Sequence, residues 1–199
     1  MQPTEFLNSG DPAPYETLAG SDRPHVLSIT GLWEVPVGRG RRFGAAMPRV
    51  LDAVAGGWQF GAIFKHQAGQ ALEFGDAIFT GDLKNIALSG SARSRERWFN
   101  VDAGFNRIIA QQRASNVRAF PLRFGHVRSA PQQRGDLSVK KNFRITEKVT
   151  TEFRAEAINA TNSAIFGPPN TTPTNSAFGR VTSLQWSGRQ WQFALKVRF

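Results

Sequence analysis

The last segment of the chain alternates without a break. Trp191, Phe193, Leu195, Val197 and Phe199 form one row, and Gln190, Gln192, Ala194, Lys196 and Arg198 form the other. Period two over such a run specifies a β-strand with one apolar and one polar face. In a water-soluble domain an exposed strand of this kind invites edge-to-edge aggregation. The pattern therefore asks for something that covers an apolar sheet face along its whole length. A lipid bilayer does so, because a transmembrane strand needs only about 9–11 residues and only every second one faces lipid.

Four earlier segments repeat the pattern. Leu27, Ile29, Gly31, Trp33 and Val35 fall on one face, with Ser28, Thr30 and Glu34 opposite and Leu32 as an exception. Pro36 ends this strand, because proline cannot donate to a ladder. Gly56-Gly57 opens the second, in which Trp58, Phe60, Ala62 and Phe64 oppose Gln59, Gly61, Lys65 and Gln67, with Ile63 as the exception. The third sets Leu137, Val139, Phe143 and Ile145 against Ser138, Lys140, Asn142 and Arg144, and Lys141 breaks its apolar row. After a tight turn at Thr146-Glu147-Lys148, Val149, Thr151, Phe153, Ala155 and Ala157 alternate with Thr150, Glu152, Arg154 and Glu156. So short a link makes an antiparallel hairpin. The expected fold is all-β: an antiparallel up-and-down meander forming a partial transmembrane β-barrel. Its lipid-facing wall would be Leu27, Ile29, Trp33, Val35, Trp58, Phe60, Phe64, Leu137, Val139, Phe143, Val149, Phe153, Trp191, Phe193, Leu195 and Val197.

The links fall into two kinds. Those at 36–56 and 146–148 are the shorter pair, and those at 75–134 and 163–188 the longer. This asymmetry matches short periplasmic turns and long extracellular loops. Five strands then run down-up-down-up-down and leave Phe199 at the periplasmic end. Trp33 and Phe199 belong to the periplasmic aromatic girdle and Trp186 lies towards the outer one. Residues 1–24, rich in Pro, Gly, Asp and Ser, read as an N-terminal loop segment, and 25–199 as barrel. Within the first link, residues 48–55 form two short helical turns with Val50, Leu51 and Val54 on one side. Residues 75–134 read as one long loop with local structure. A strand within 118–128 would need a partner to preserve parity, and the pattern supplies no convincing one.

Other chemistries find little footing. No run of eighteen apolar residues occurs, so no transmembrane helix is encoded. The absence of cysteine excludes disulfides, thiolate metal sites and Cys nucleophiles. The net charge of +10 comes from bases dispersed between Arg23 and Arg198, which suits solvated loops and a polar lumen more than a nucleic-acid stripe. Arg39, Arg41 and Arg42 sit in a Gly-containing turn that lacks the third glycine and the βαβ context of a dinucleotide fingerprint. His25, His66 and His126 have no metal-ligand spacing. Glu152 and Glu156 are spaced like an acid/base pair, but Arg154 between them makes a lumen-facing charge ladder the better reading. Asp136 and Ser138 form no triad with a distant histidine. Asn159-Ala160-Thr161 and Asn170-Thr171-Thr172 fit a glycosylation pattern that chance also produces. No catalytic, cofactor-binding or metal residue is expected, no cofactor, and no enzyme activity.

Several short motifs occur in a telling order. They are Arg23-Pro24-His25-Val26-Leu27-Ser28-Ile29, Pro36-Val37-Gly38-Arg39-Gly40, Gly56-Gly57-Trp58-Gln59, Gly69-Gln70 and Arg97-Trp98-Phe99-Asn100. Asp136-Leu137-Ser138 with Lys141-Asn142-Phe143, then Phe153-Arg154-Ala155-Glu156-Ala157-Ile158-Asn159 and the terminal Phe199, complete the set. Over residues 22–199 the chain resembles TonB-dependent receptors of the Oar-like type. The resemblance implies a barrel of about 22 strands with an internal plug. It also implies TonB-powered uptake of a bulky nutrient, and Phe199 as a C-terminal assembly signal. Residues 1–20 contain no signal-peptide pattern, and neither a TonB box nor a plug is read, so the chain is expected to be a fragment of such a receptor. Expected partners are outer-membrane lipid, the barrel assembly machinery, and the TonB complex through the missing N-terminal part, with no nucleic acid. Expected localisation is the bacterial outer membrane. Substrate contacts are expected from loops 75–134 and 163–188. The competing reading is a soluble, basic all-β module that binds nucleic acid or carbohydrate.

Overall fold

A computed structural model describes residues 5–113, 116–186 and 188–199. In chain order its strands are β1 (Val26–Glu34), β2 (Trp58–Gln67), β3 (Ala71–Glu73), β4 (Arg123–Arg128), β5 (Gln132–Arg144), β6 (Thr150–Ile158), β7 (Ile165–Phe166), β8 (Leu184–Trp186) and β9 (Gln190–Arg198). One α-helix, α1 (Arg49–Ala55), lies between β1 and β2. No helix among the described residues is long and apolar enough to cross a membrane, which says nothing of strands.

The chain divides into two compact units. The first contains Val26–His66, Gln133–Ala164 and Ser187–Phe199. It is built on a five-stranded sheet in the order β1-β2-β5-β6-β9, so the five strands expected from alternation are neighbours in sequence order within the wall. The sheet is open, with β1 and β9 as its edges. Val35 donates to Trp58 O at 2.9 Å at one end of the β1–β2 pair, and Ala68 donates to His25 O at 2.9 Å at the other, which makes the pair antiparallel. β5 and β6 pair antiparallel from Leu137 opposite Ala157 to Arg144 opposite Thr150. β6 and β9 pair from Thr150 opposite Arg198 to Ile158 opposite Gln190.

Gly56-Gly57 has a specific role at the entry to β2. Gly57 has φ +73°, which favours glycine, and a Cβ there would collide with the Asn142 carbonyl of β5. Asn142 in turn donates its N–H to Gly57 O at 2.9 Å, so the close backbone approach fixes the β2–β5 register.

The second unit contains Met1–His25, Gln67–Gln132 and Ile165–Trp186. Residues 75–134, read from the sequence as a loop with local structure, contribute to an aromatic core. Phe74 is its hub, with ring centroids 4.9 Å from Phe99, 4.7 Å from Phe105, 5.3 Å from Phe124 and 6.3 Å from Phe178. Phe99 and Ile86 are fully buried. The parity question raised by 118–128 has a simple answer. β4 is a strand, but it pairs antiparallel with β3 in a separate sheet and leaves the count of the wall unchanged.

The N-terminal loop segment joins this unit. Arg123 holds Glu5 through two hydrogen bonds, at 2.6 and 2.7 Å, and donates to Leu18 O at 2.8 Å. Arg128 pairs with Asp22 at 2.7 Å. Asn8 accepts from the Arg118 N–H at 2.6 Å. The Arg118 guanidinium lies 5.0 Å from the Phe120 ring centroid, and burial lowers its pKa against the opposing charges of Glu73 and Asp76.

Candidate functional site

The wall carries two chemically opposite faces. The β5–β6–β9 register aligns Leu137, Ala157 and Trp191, then Val139, Ala155 and Phe193, then Lys141, Phe153 and Leu195, then Phe143, Thr151 and Val197. Trp33 and Phe60 stack at 6.0 Å between β1 and β2, and they share their strand faces with Leu27, Ile29, Val35, Trp58 and Phe64 by strand parity. Phe153 and Phe193 stack at 6.5 Å on β6 and β9. Val149 precedes β6 at the same parity. The sixteen residues expected to face lipid thus fall on the alternating apolar positions of the wall. On the edge strand β9, Phe193 and Leu195 remain 66% and 67% exposed, so this part of the face is uncovered among the described residues. Phe199 lies beyond the last paired residue and is fully exposed.

The other face is a charge ladder. Glu152 lies 3.5 Å from Lys140 of β5 and 3.7 Å from Arg198 of β9. Arg154 lies 3.5 Å from Glu156 on the same strand. Each of these carboxylates has a cation within 4 Å. This arrangement gives the wall a polar surface of alternating charge. Leu32, the exception on β1, stands 70% exposed on the face opposite the apolar row, and the glycine at 61 instead gives space to the Ser138 hydroxyl of β5.

Lys141 is the second exception, and the structure gives it a role that alternation cannot reveal. It interrupts the apolar row, yet it is buried. Its ammonium donates to Val54 O at 3.2 Å and to Gly56 O, and lies 4.9 Å from the centroid of the Trp58 ring. Trp58 Nε1 donates to the same Val54 carbonyl at 2.8 Å. Carbonyls at the end of α1 have no partner within the helix, and a cation there is favourable. The helix expected at 48–55 is therefore clamped to the apolar side of the wall.

A polar latch joins β5, β6 and the approach to β9. Asn159 is fully buried with φ +55°. Its side chain donates to Ser163 O at 2.9 Å and Gly188 O at 3.2 Å, and accepts from the Ser163 N–H at 3.0 Å. Asn162 Oδ1 accepts the Arg189 N–H at 3.1 Å. Buried and saturated, Asn159 is a structural residue and has no access for glycosylation. Sequence reasoning missed this role; the only signal was an asparagine ending a β-strand.

The histidines remain separate, and no cluster of metal-ligating residues occurs among the described residues. His126 Nε2 lies 3.2 Å from Leu83 O, which occupies it structurally. In the second unit, a cleft of about 410 Å³ is lined by Asp76, Gln112, Thr171, Thr172 and Thr174 among others. These residues come from or border the two long links. Asp76 accepts the Asn116 N–H at 3.1 Å, and the cleft is lined by hydroxyl, amide and carboxylate groups.

A sheet with one face apolar except at Lys141, an opposite face of paired charges, and links of unequal length has the pattern of a membrane β-barrel wall. The family comparison agrees. A family model described as an outer membrane beta barrel domain matches residues 3–192, and the chain belongs to that family. Its localisation is accordingly the outer membrane, which displaces the soluble all-β module weighed from the sequence. No curated protein and no solved structure matches the chain.

Proposed function

We propose that the chain supplies C-terminal wall strands of a TonB-dependent receptor of about 22 strands, which imports a bulky nutrient. The observation that carries this reading is the open five-stranded meander, apolar on one face and charge-laddered on the other. Five strands are too few to enclose a lumen, since even small barrels use about 8, and the receptor reading calls for further wall strands, a plug and a TonB contact. The order of motifs from Arg23-Pro24 to Phe199 supports the Oar-like assignment. In this reading the short links face the periplasm and the long links at 75–134 and 163–188 face the medium. The cleft beside Asp76 and Thr172 then meets incoming ligand. The barrel transports and does not catalyse; its partners are outer-membrane lipid, the barrel assembly machinery and TonB.

The test is gene disruption in the host. Uptake of a labelled nutrient too large for porin diffusion is expected to fall in the disrupted strain. In the intact strain, the same uptake is expected to fall when a protonophore collapses the inner-membrane gradient. Uptake that survives both treatments, across a panel of oligosaccharides and peptides, overturns the transport reading while leaving the barrel wall in place.

A further inference from the structure

The β1–β2 link contains an apolar surface that the wall does not use. In α1, Val50, Leu51 and Val54 are 77%, 57% and 69% exposed. At about 100° per residue they occupy one arc of the helix. Asp52 lies on the opposite arc and accepts the Arg39 N–H at 2.7 Å, which fixes the helix within its own link. The link is internally bonded: Phe43 donates to Pro36 O at 3.0 Å and Gly38 to Phe43 O at 2.9 Å.

We infer that α1 is an interfacial anchor that lays Val50, Leu51 and Val54 into the membrane leaflet next to the short links, with anionic phospholipid headgroups as its partner. This rests on the reading of the apolar wall face as the lipid face. Two features select lipid as the occupant. The clamp of Lys141 and Trp58 on the last α1 carbonyls puts the helix on the apolar side of the wall, so its exposed arc continues the lipid-facing surface. The same link contains Arg39, Arg42 and Arg49, with Arg41 paired to Glu34 at 3.3 Å, and Asp52 is its single acid. A short helix with an apolar arc and flanking arginines matches the chemistry of an anionic interface.

These 199 residues contain no cysteine, so single cysteines placed among them, with any cysteine elsewhere in the receptor replaced by serine, permit a site-specific test in isolated outer membranes. Leu51→Cys and Val54→Cys are labelled with an environment-sensitive fluorophore. Glu147→Cys, exposed in the other short link, is the aqueous reference, and Phe193→Cys on the wall is the lipid reference. The expected result is blue-shifted emission at 51 and 54, several-fold weaker quenching by iodide than at 147, and strong quenching by headgroup-depth spin-labelled phospholipid. Adding Arg42→Glu and Arg49→Glu should restore iodide access. Iodide quenching at 51 and 54 equal to that at 147 overturns the inference. Protection from both quenchers also overturns it, because protein and not lipid would then cover the helix. If Phe193→Cys is itself open to iodide, it is the wall reading that fails.

Discussion

Asp136 Oδ1 accepts the backbone N–H of Asn159 at 2.8 Å, a bond that passes from β5 to the residue closing β6. Three further hydrogen bonds from the Asn159 side chain tie this corner to Ser163 and Gly188. Alanine at 159 removes those bonds and keeps a left-handed backbone without asparagine's tolerance for it. We expect Asn159→Ala to destabilise the folded protein by about 2–4 kcal/mol, read from the urea midpoint. Asn159→Gly should lose less, because only the bonds are lost. Equal stability of Asn159→Gly and the parent would show that the side-chain bonds contribute nothing.

Adjacent positions on β9 test the two faces. Arginine at 193 faces the apolar side and is expected to cost about 2–4 kcal/mol near the bilayer midplane. Arginine at 192 joins the charged side and should cost much less. Comparing the folded fraction of Phe193→Arg and Gln192→Arg by heat-modifiable gel mobility decides the matter. Equal loss in both would reject the assigned faces.

Glu5 provides a pH-dependent tether for the N-terminal segment. Hydrogen bonding to Arg123 lowers its pKa from the ordinary value of 4.5. A depressed folded-state pKa means stability that is complete above the unfolded value and lost as pH falls through the folded one. Protease cleavage within residues 5–25 should therefore rise on acidification below the ordinary glutamate range. Glu5→Gln should cleave readily at neutral pH already, with little further rise on acidification.

The second unit depends on its Phe hub. Phe74→Ala removes four ring contacts from a close-packed core and is expected to cost about 3–5 kcal/mol. Limited proteolysis should then cut within 67–132 and 165–186 while the wall stays protected. Cleavage unchanged from the parent would mean that the core tolerates the cavity.

Phe199 makes no register contact within β9 and is fully exposed, so its removal should leave the stability of folded protein nearly unchanged. If it is the assembly signal, deleting it should lower the amount of barrel reaching the outer membrane in cells. A drop in stability with normal delivery would assign it to packing instead.

Most of the wall was legible in the sequence because its information is local. Trp191 to Val197 alternate with a period that only a strand satisfies, and Thr146-Glu147-Lys148 is too short for anything but a hairpin. The charge ladder followed from Glu152, Arg154 and Glu156 standing two apart. Where the alternation failed, at Leu32 and Lys141, local pattern offered no reason. Leu32 is left exposed on the face opposite the apolar row, and Lys141 reaches the Gly56 carbonyl 85 residues away in the chain.

The sequence by itself determined the five strands, their two faces and the short helix near 48–55, since each depends on residues two to four apart. Only the tertiary structure decided that residues 75–134 possess a core, that β4 pairs with β3 outside the wall, and that Asn159 is a latch. Phe74, Phe99, Phe105, Phe124 and Phe178 follow no period. Their meeting depends on hydrophobic burial between distant segments, and that force has no direction along the chain to leave a pattern in it.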